Sequence, residues 1–441
     1  MQIGENVLWL LVLIGVMITV HELGHFWAAR FFDVKVEAFS FGFGPRLFGF
    51  RRGETDYRFS LILLGGYVKM AGEQFGEDAN GEDPRSLLAK PRWQRLIIAA
   101  AGPAMNVVLA IGLLTGLYMV KYQHIADEDL VAVIGSVLPD SPAAKAGIQS
   151  NDRIVRLDSK RNPTWEDVNE KEITSASRAM HLTIERNGKY FDTTVTPLLS
   201  ERSGMGLAGW DERGQVQLAR VEPNMPAEKA GLKKGDLLKT INGQPIHSTI
   251  KFQELSKNSN GKPIQIEFER DGQDQTVTVQ PVFTSMQDGP QRWMIGVLPG
   301  PKFHIVTSKL ALPAALNQSM SENQRNATLL FRVLEGMLER RLSTKNLSGP
   351  IMIASMAGDA ARLGAYEFFQ LMAMVSLQLA IFNLLPIPIL DGGQIAMLLV
   401  EMVMQRDLSL NVKEAVFKVG FVCIMLIVAF AIYNDISKLA G

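Results

Sequence analysis

Residues 7–29 of this 441-residue chain form an apolar run broken only by the cluster HELGH, and further runs follow at 96–120, roughly 368–390 and about 416–433. A bilayer core of about 30 Å takes roughly 20 helical residues to cross. Four such runs predict a multi-pass α-helical membrane protein, because backbone groups in hydrocarbon must be paired within a helix or a closed barrel. The first run lacks a basic leader and exceeds the apolar length of a cleaved signal, so it is expected to stay in the mature chain. The fourth carries Lys418 near one end, whose long stem can snorkel to the interface.

The charge is balanced, 45 basic against 45 acidic residues, but it is segregated between the runs. No Lys/Arg block or basic-aromatic pattern marks a nucleic-acid surface, so no nucleic-acid partner is expected. The single cysteine, Cys423, lies in an apolar run, which rules out a disulfide framework and a cysteine-based zinc site. A metal would have to be held by histidine and carboxylate. The loop 30–95 carries eleven Lys and Arg while residues 1–6 carry none. By the positive-inside rule that loop is cytoplasmic, and both termini and the segment Lys121–Glu367 lie outside.

Inside that external segment VLPDSPAAKAG (137–147) recurs as VEPNMPAEKAG (221–231), and LTIERNGKYFDTTVTP (182–197) recurs as IEFERDGQDQTVTVQP (266–281). The offset of 84 residues indicates a duplicated domain, since solenoid periods run about 20–50 residues. Asn187-Gly188 and Asp271-Gly272 stand between alternating segments, as two-residue hairpin turns require. Each copy resembles a PDZ domain, a fold that binds extended peptides at a sheet edge; a spacer role is the plainer alternative. The expected domains are 121–205 and 206–300, followed by external amphipathic helices over 301–366. Residues 31–95 are expected to hold a small membrane-associated β-sheet whose LGGYVKM segment (64–70) is a candidate free edge.

HELGH carries the chemistry. Residues four apart share one helix face, so His21 and His25 can offer two imidazoles to one ion, with Glu22 placed as general base toward the attacking water. An unliganded polar trio in a span is expensive, which favours a metal site over a structural polar cluster. A catalytic zinc usually takes three protein ligands. The third span, expected over 367–391, ends IFNLLPIPILDGG, and Asp391 is its first acid after a long uncharged stretch, toward the same side of the membrane as His21. Pro386 and Pro388 must break the helix there, which makes a wet pocket beside the metal. Asn383 can donate its amide to a bound peptide or to a neighbouring helix. Residues 392–441 are expected to hold a cytoplasmic loop and the fourth span.

HELGH, AAGPAMN (100–106), LGGYVKM, NLLPIPILDGG and the tandem PDZ-like repeat together resemble the site-2 protease family of intramembrane zinc metalloproteases, in its bacterial branch that regulates sigma-E. The resemblance covers nearly the whole chain, in order. It implies Zn2+ held by His21, His25 and Asp391, Glu22 as catalytic acid/base and Asn383 as a substrate contact. It also implies cleavage of single-span membrane proteins, an anti-sigma factor and remnant signal peptides, within the lipid bilayer of a bacterial inner membrane. There the PDZ pair is expected to be periplasmic and the active site toward the cytoplasmic side. The free edge, with Gly65, Gly66, Tyr67 and Val68, is then expected to hold the unwound substrate as an added strand. A metal transporter has no need of a glutamate between the histidines, and a silent scaffold would be expected to lose Glu22 or a ligand.

Overall fold

A computed structural model describes residues 2–73, 83–126, 130–201, 203–284, 291–344 and 349–440. The chain divides into two compact units, one built from residues 1–122, 309–330 and 347–440, the other from 123–308 and 331–346. Among the described residues, four helices of the first unit are long and apolar enough to cross a membrane, over Ile3–Phe31, Arg92–Val120, Ala365–Asn383 and Asn411–Ser437.

The first unit begins with helix α1 (Gln2–Phe31), strands β1 (Val36–Arg52) and β2 (Thr55–Met70) and helix α2 (Arg92–Val120). The two strands double back on each other. Residues Val36–Phe41 pair with Gly66–Met70 on one side, while Ala38–Phe41 also face Asp56–Phe59 on the other. Val36, Val68 and Met70 are buried with Ala29 of α1 and Ile98 of α2, which fixes the sheet against both helices. Gly24 lets α1 and α2 close up, since a Cβ there would lie 2.3 Å from the Ala101 carbonyl oxygen.

The second unit contains the duplication, and its two copies keep the offset element by element. Helices α3 (Pro142–Lys145) and α4 (Trp165–Thr174) recur as α5 (Pro226–Lys229) and α6 (Thr249–Asn258). The expected hairpin turns are present, with positive φ at Asn187 and Gly188 (52° and 73°) and at Asp271 and Gly272 (53° and 76°), and the flanking strands pair Arg186 with Lys189 and Arg270 with Gln273. Only residues with little Cβ penalty hold both central positions at positive φ. An ion pair repeats too: Arg186 Nε donates to buried Asp152 at 2.6 Å, and Arg270 Nε to buried Asp236 at 2.6 Å. Each copy has its own core. Ala132 to Trp210 supply the first and Val216 to Ile295 the second, and each fully buried Ile or Phe contributes about 1.5–3 kcal/mol. The first core therefore runs past the expected boundary at 205/206, because Trp210–Glu212 returns to pair with Ile134–Val137. Glu172 of α4 anchors that return, accepting from Ala208 N at 2.6 Å and Trp210 Nε1 at 2.7 Å. Burial pushes its carboxyl up to about 7 against the pull of those two donors.

The remaining helices are α7 (Leu312–Leu338), α8 (Pro350–Leu363), α9 (Ala365–Asn383), α10 (Asp391–Met404) and α11 (Leu410–Ala440). Leu13 and Met17 of α1, Ala357 of α8 and Phe368, Leu371 and Met372 of α9 share one core. At the far end of α11, Asp435 accepts from the backbone N–H groups of Gly349, Ile351 and Met352 at 2.7, 3.0 and 3.1 Å, closing the N-terminus of α8. The third span breaks at Pro386 and Pro388 as expected, but Asp391 does not close that span as the bounds 367–391 had it. Its helix ends at Asn383, the chain unwinds over Leu384–Leu390, where Pro386 and Pro388 cannot donate, and Asp391 opens a separate helix.

Candidate metal centre

HELGH sits in the second half of α1. Because His21 and His25 are one turn apart, their rings meet, with Nε2 atoms 3.2 Å from each other. Asp391 arrives from α10: its Oδ2 lies 3.0 Å from His21 Nε2 and its Oδ1 3.5 Å from His25 Nε2. One ligand atom from each of the three lies within 4.8 Å of the others. Gly392 and Gly393 permit this approach, since a Cβ on either would come within 2.3 Å of a carbonyl oxygen of the preceding turn.

Helix α2 shapes the site from behind. His25 Nδ1–H donates to the Ile98 carbonyl at 2.8 Å, which leaves the Nε2 lone pair facing Asp391. Asn106, fully buried on α2, has its amide 3.2 Å from His21 Nδ1. Its Oδ1 otherwise accepts nothing among the described residues; turned toward His21 it takes the Nδ1–H and frees that ring's Nε2 as well. Gly102 removes the last obstacle, since a Cβ there would lie 2.3 Å from His25 Nε2 and 2.7 Å from His21 Nε2. Pro103 takes away the N–H that would otherwise pair with the Ala99 carbonyl in the same turn.

Two imidazoles with bare Nε2 atoms and a carboxylate suit zinc, which takes nitrogen and oxygen donors tetrahedrally. The Asp391 Oδ2 atom accepts no hydrogen bond among the described residues although it is buried, the state of an acceptor that awaits a cation. The donor set fits the ion.

A cavity of about 580 Å³ opens onto the trio. Glu22, Tyr67, Val68, Met70 and Glu73 line it on one side, and Gln394, Met397, Leu398 and Glu401 on the other. Glu22 is hydrogen-bonded to the Val68 backbone, and Gly66 faces it, so a Cβ there would sit 3.6 Å from Glu22 Cγ. The structure thus brings His21, Glu22, His25, Asp391, Gly66, Tyr67 and Val68 to one place. Gly65 packs instead under the Phe43 ring, and Asn383, half-buried at the end of α9, does not line the cavity. Asn106, Ile98 and Gly102 were not singled out individually from sequence, although AAGPAMN contains two of them.

The model of peptidase family M50 matches residues 9–427. The chain is 30% identical to the "Regulator of sigma E protease" of Salmonella typhi, over 98% of this chain and 100% of that one. It is 30% identical to the "Regulator of sigma-E protease RseP" of Escherichia coli K12, over 97% and 98%. It is 31% identical to the "Putative zinc metalloprotease NMA0084" of Neisseria meningitidis serogroup A, over 97% of each. Among solved structures, a PDZ domain of the SdrC-like protein Lin2157 of Listeria innocua is similar at 23% identity with a TM-score of 0.17, covering 19% of this chain and 92% of that one. The chain belongs to peptidase family M50, the site-2 protease family, and is a zinc metalloprotease.

Proposed function

We propose that the chain hydrolyses peptide bonds inside the membrane-spanning segments of single-span proteins, with His21, His25 and Asp391 holding the zinc and Glu22 as general acid/base. The observation that carries this is the convergence of those four side chains in one cavity beside the strand Gly66–Met70. Zinc, when bound, polarises the scissile carbonyl and makes a water nucleophilic near neutral pH. Glu22, oriented by the Val68 backbone, takes the proton from that water and returns it to the leaving amine.

A substrate helix hides its peptide bonds in its own hydrogen bonds and must unwind to be cut. No second strand pairs with Gly66–Met70 on its other side among the described residues. That edge can take the unwound segment as an added strand, with Tyr67 and Val68 against it. The β1–β2 sheet leaves Phe43, Leu47, Phe48, Phe50 and Phe59 exposed, which suits a membrane-associated position.

The regulators of sigma-E among the relatives support an anti-sigma factor as substrate, with remnant signal peptides as a second class. The Lys and Arg of residues 30–95 support a cytoplasmic loop, periplasmic termini and tandem PDZ-like units in the periplasm of a bacterium with an inner membrane, where the units limit access by size.

Glu22→Gln tests the chemistry. The variant keeps zinc, because all three proposed ligands remain, and cleaves a model single-span substrate about 10²–10⁴-fold more slowly. Near-normal cleavage by the zinc-loaded variant would sink the mechanism.

A further inference from the structure

Three turns beyond Asp391, helix α10 carries a buried carboxylate, Glu401, only 1% exposed. Its Oε1 accepts from Lys413 Nζ at 2.7 Å and from the Leu408 backbone N–H at 2.9 Å, and its Oε2 lies 3.6 Å from Arg95 Nη2. Arg95 is itself 6% exposed and also donates to Asp407 at 3.0 Å; Arg92 Nε reaches the same Asp407 oxygen at 2.9 Å. One carboxylate on α10 therefore gathers the start of α2, the connection after α10 and the start of α11.

Burying these charges gains little stability over apolar packing of the same volume, so the cluster needs another reason to exist. Its placement supplies one. The N-terminus of α10 has no side-chain cap, Leu390 being the cap residue, so no side chain at that end ties the helix bearing Asp391 to another element through its cap. The ligands His21 and His25 ride on α1, which packs on α2, and Arg95 lies on α2 three residues from Ile98, whose carbonyl orients His25. Glu401 is ten residues, about 15 Å, from Asp391 on a rigid rod. It ties that rod to the helix that orients the histidines.

We propose that Glu401 is a positioning residue: through Arg95 and Lys413 it sets the axial placement of α10 and so holds Asp391 at the distance zinc needs from His21 and His25. This rests on the reading of Asp391 as a ligand. Zinc sites accept errors of about 0.2 Å, so a helix free to slide by a fraction of a turn loses affinity.

The test is a double-mutant cycle on the full-length protein in detergent, reading zinc affinity by competition with a chelator of known affinity, alongside melting temperature and cleavage. Asp391→Asn weakens zinc binding. Glu401→Gln weakens it about tenfold, as loss of an orienting partner does elsewhere, and the double variant binds no more weakly than Asp391→Asn alone. If Glu401→Gln does not fold, Glu401→Gln with Lys413→Gln keeps the charge balanced and takes its place in the cycle. A folded Glu401 variant with native zinc affinity overturns the proposal. So does a loss that adds in full to that of Asp391→Asn, because it would reflect general loosening. Native affinity in Asp391→Asn instead removes the ligand reading on which the proposal stands.

Discussion

Gly102→Ala adds one methyl group where the geometry leaves no room for it. The new Cβ would stand 2.3 Å from His25 Nε2 and 2.7 Å from His21 Nε2, against 3.4 Å for an ordinary contact. One of the bodies must move by about 1 Å. The rings cannot swing away cheaply, since His25 is tied to Ile98 O, His21 faces Asn106, and both are buried. Helix α2 would have to back off instead, carrying both orienting groups with it. Zinc–nitrogen distances tolerate about 0.2 Å, and a 1 Å misplacement at a reacting centre costs about 10²-fold. Zinc affinity and cleavage by the purified variant should both fall by about 10²-fold or more. Helix propensity works the other way, because Ala is favoured over Gly by about 1 kcal/mol in a helix interior, so a loss cannot be blamed on a weakened helix. Gly112→Ala and Gly116→Ala on the same helix meet nothing within 4 Å and should keep zinc and activity. Native zinc content and turnover in Gly102→Ala would refute the placement of α2 against the histidines.

Two further outcomes follow from the second unit. Glu172, pushed up to about 7 by burial from an unfolded value near 4.5, binds more protons folded than unfolded between those values, so the first β unit loses stability as pH rises through that window; hydrogen exchange across 206–212, corrected for intrinsic rates, should show the loss and Glu172→Gln should flatten it. The unit's chain ends leave side by side, Ala126 N donating to His304 O at 2.9 Å, so replacing 127–303 by a short linker should keep zinc and cleavage of a trimmed substrate while admitting one with a folded external domain; continued rejection by a folded variant would place the filter elsewhere.

Much of the architecture was legible because it rests on local rules. Span length follows from composition, and Asn187-Gly188 and Asp271-Gly272 carry their turn geometry in two residues. The pair His21 and His25 is local too, one helical turn apart. The break was legible from Pro386 and Pro388, and Asp391 could be singled out as an acid in an apolar stretch, but its opening of a separate helix could not be read, since a broken span and a restarted one share the same apolar composition. The boundary between the β units failed for a related reason, since Trp210 belongs to the first core through a strand pairing more than 70 residues long in sequence. Gly102 and Asn106 were least visible. Small and amide residues in a span usually serve helix packing, and only their distance to the rings reveals another role.

The closure of α8 by Asp435 bears on how the chain is made. Residues 349–352 leave the ribosome well before position 435, some 86 residues later, a delay of about 4–17 s at 5–20 residues per second. Throughout that interval the three N–H groups lack the carboxylate that caps them in the folded chain. Helix α8 therefore gains this cap only once α11 has been synthesised, so one of the contacts that complete it depends on nearly the whole chain.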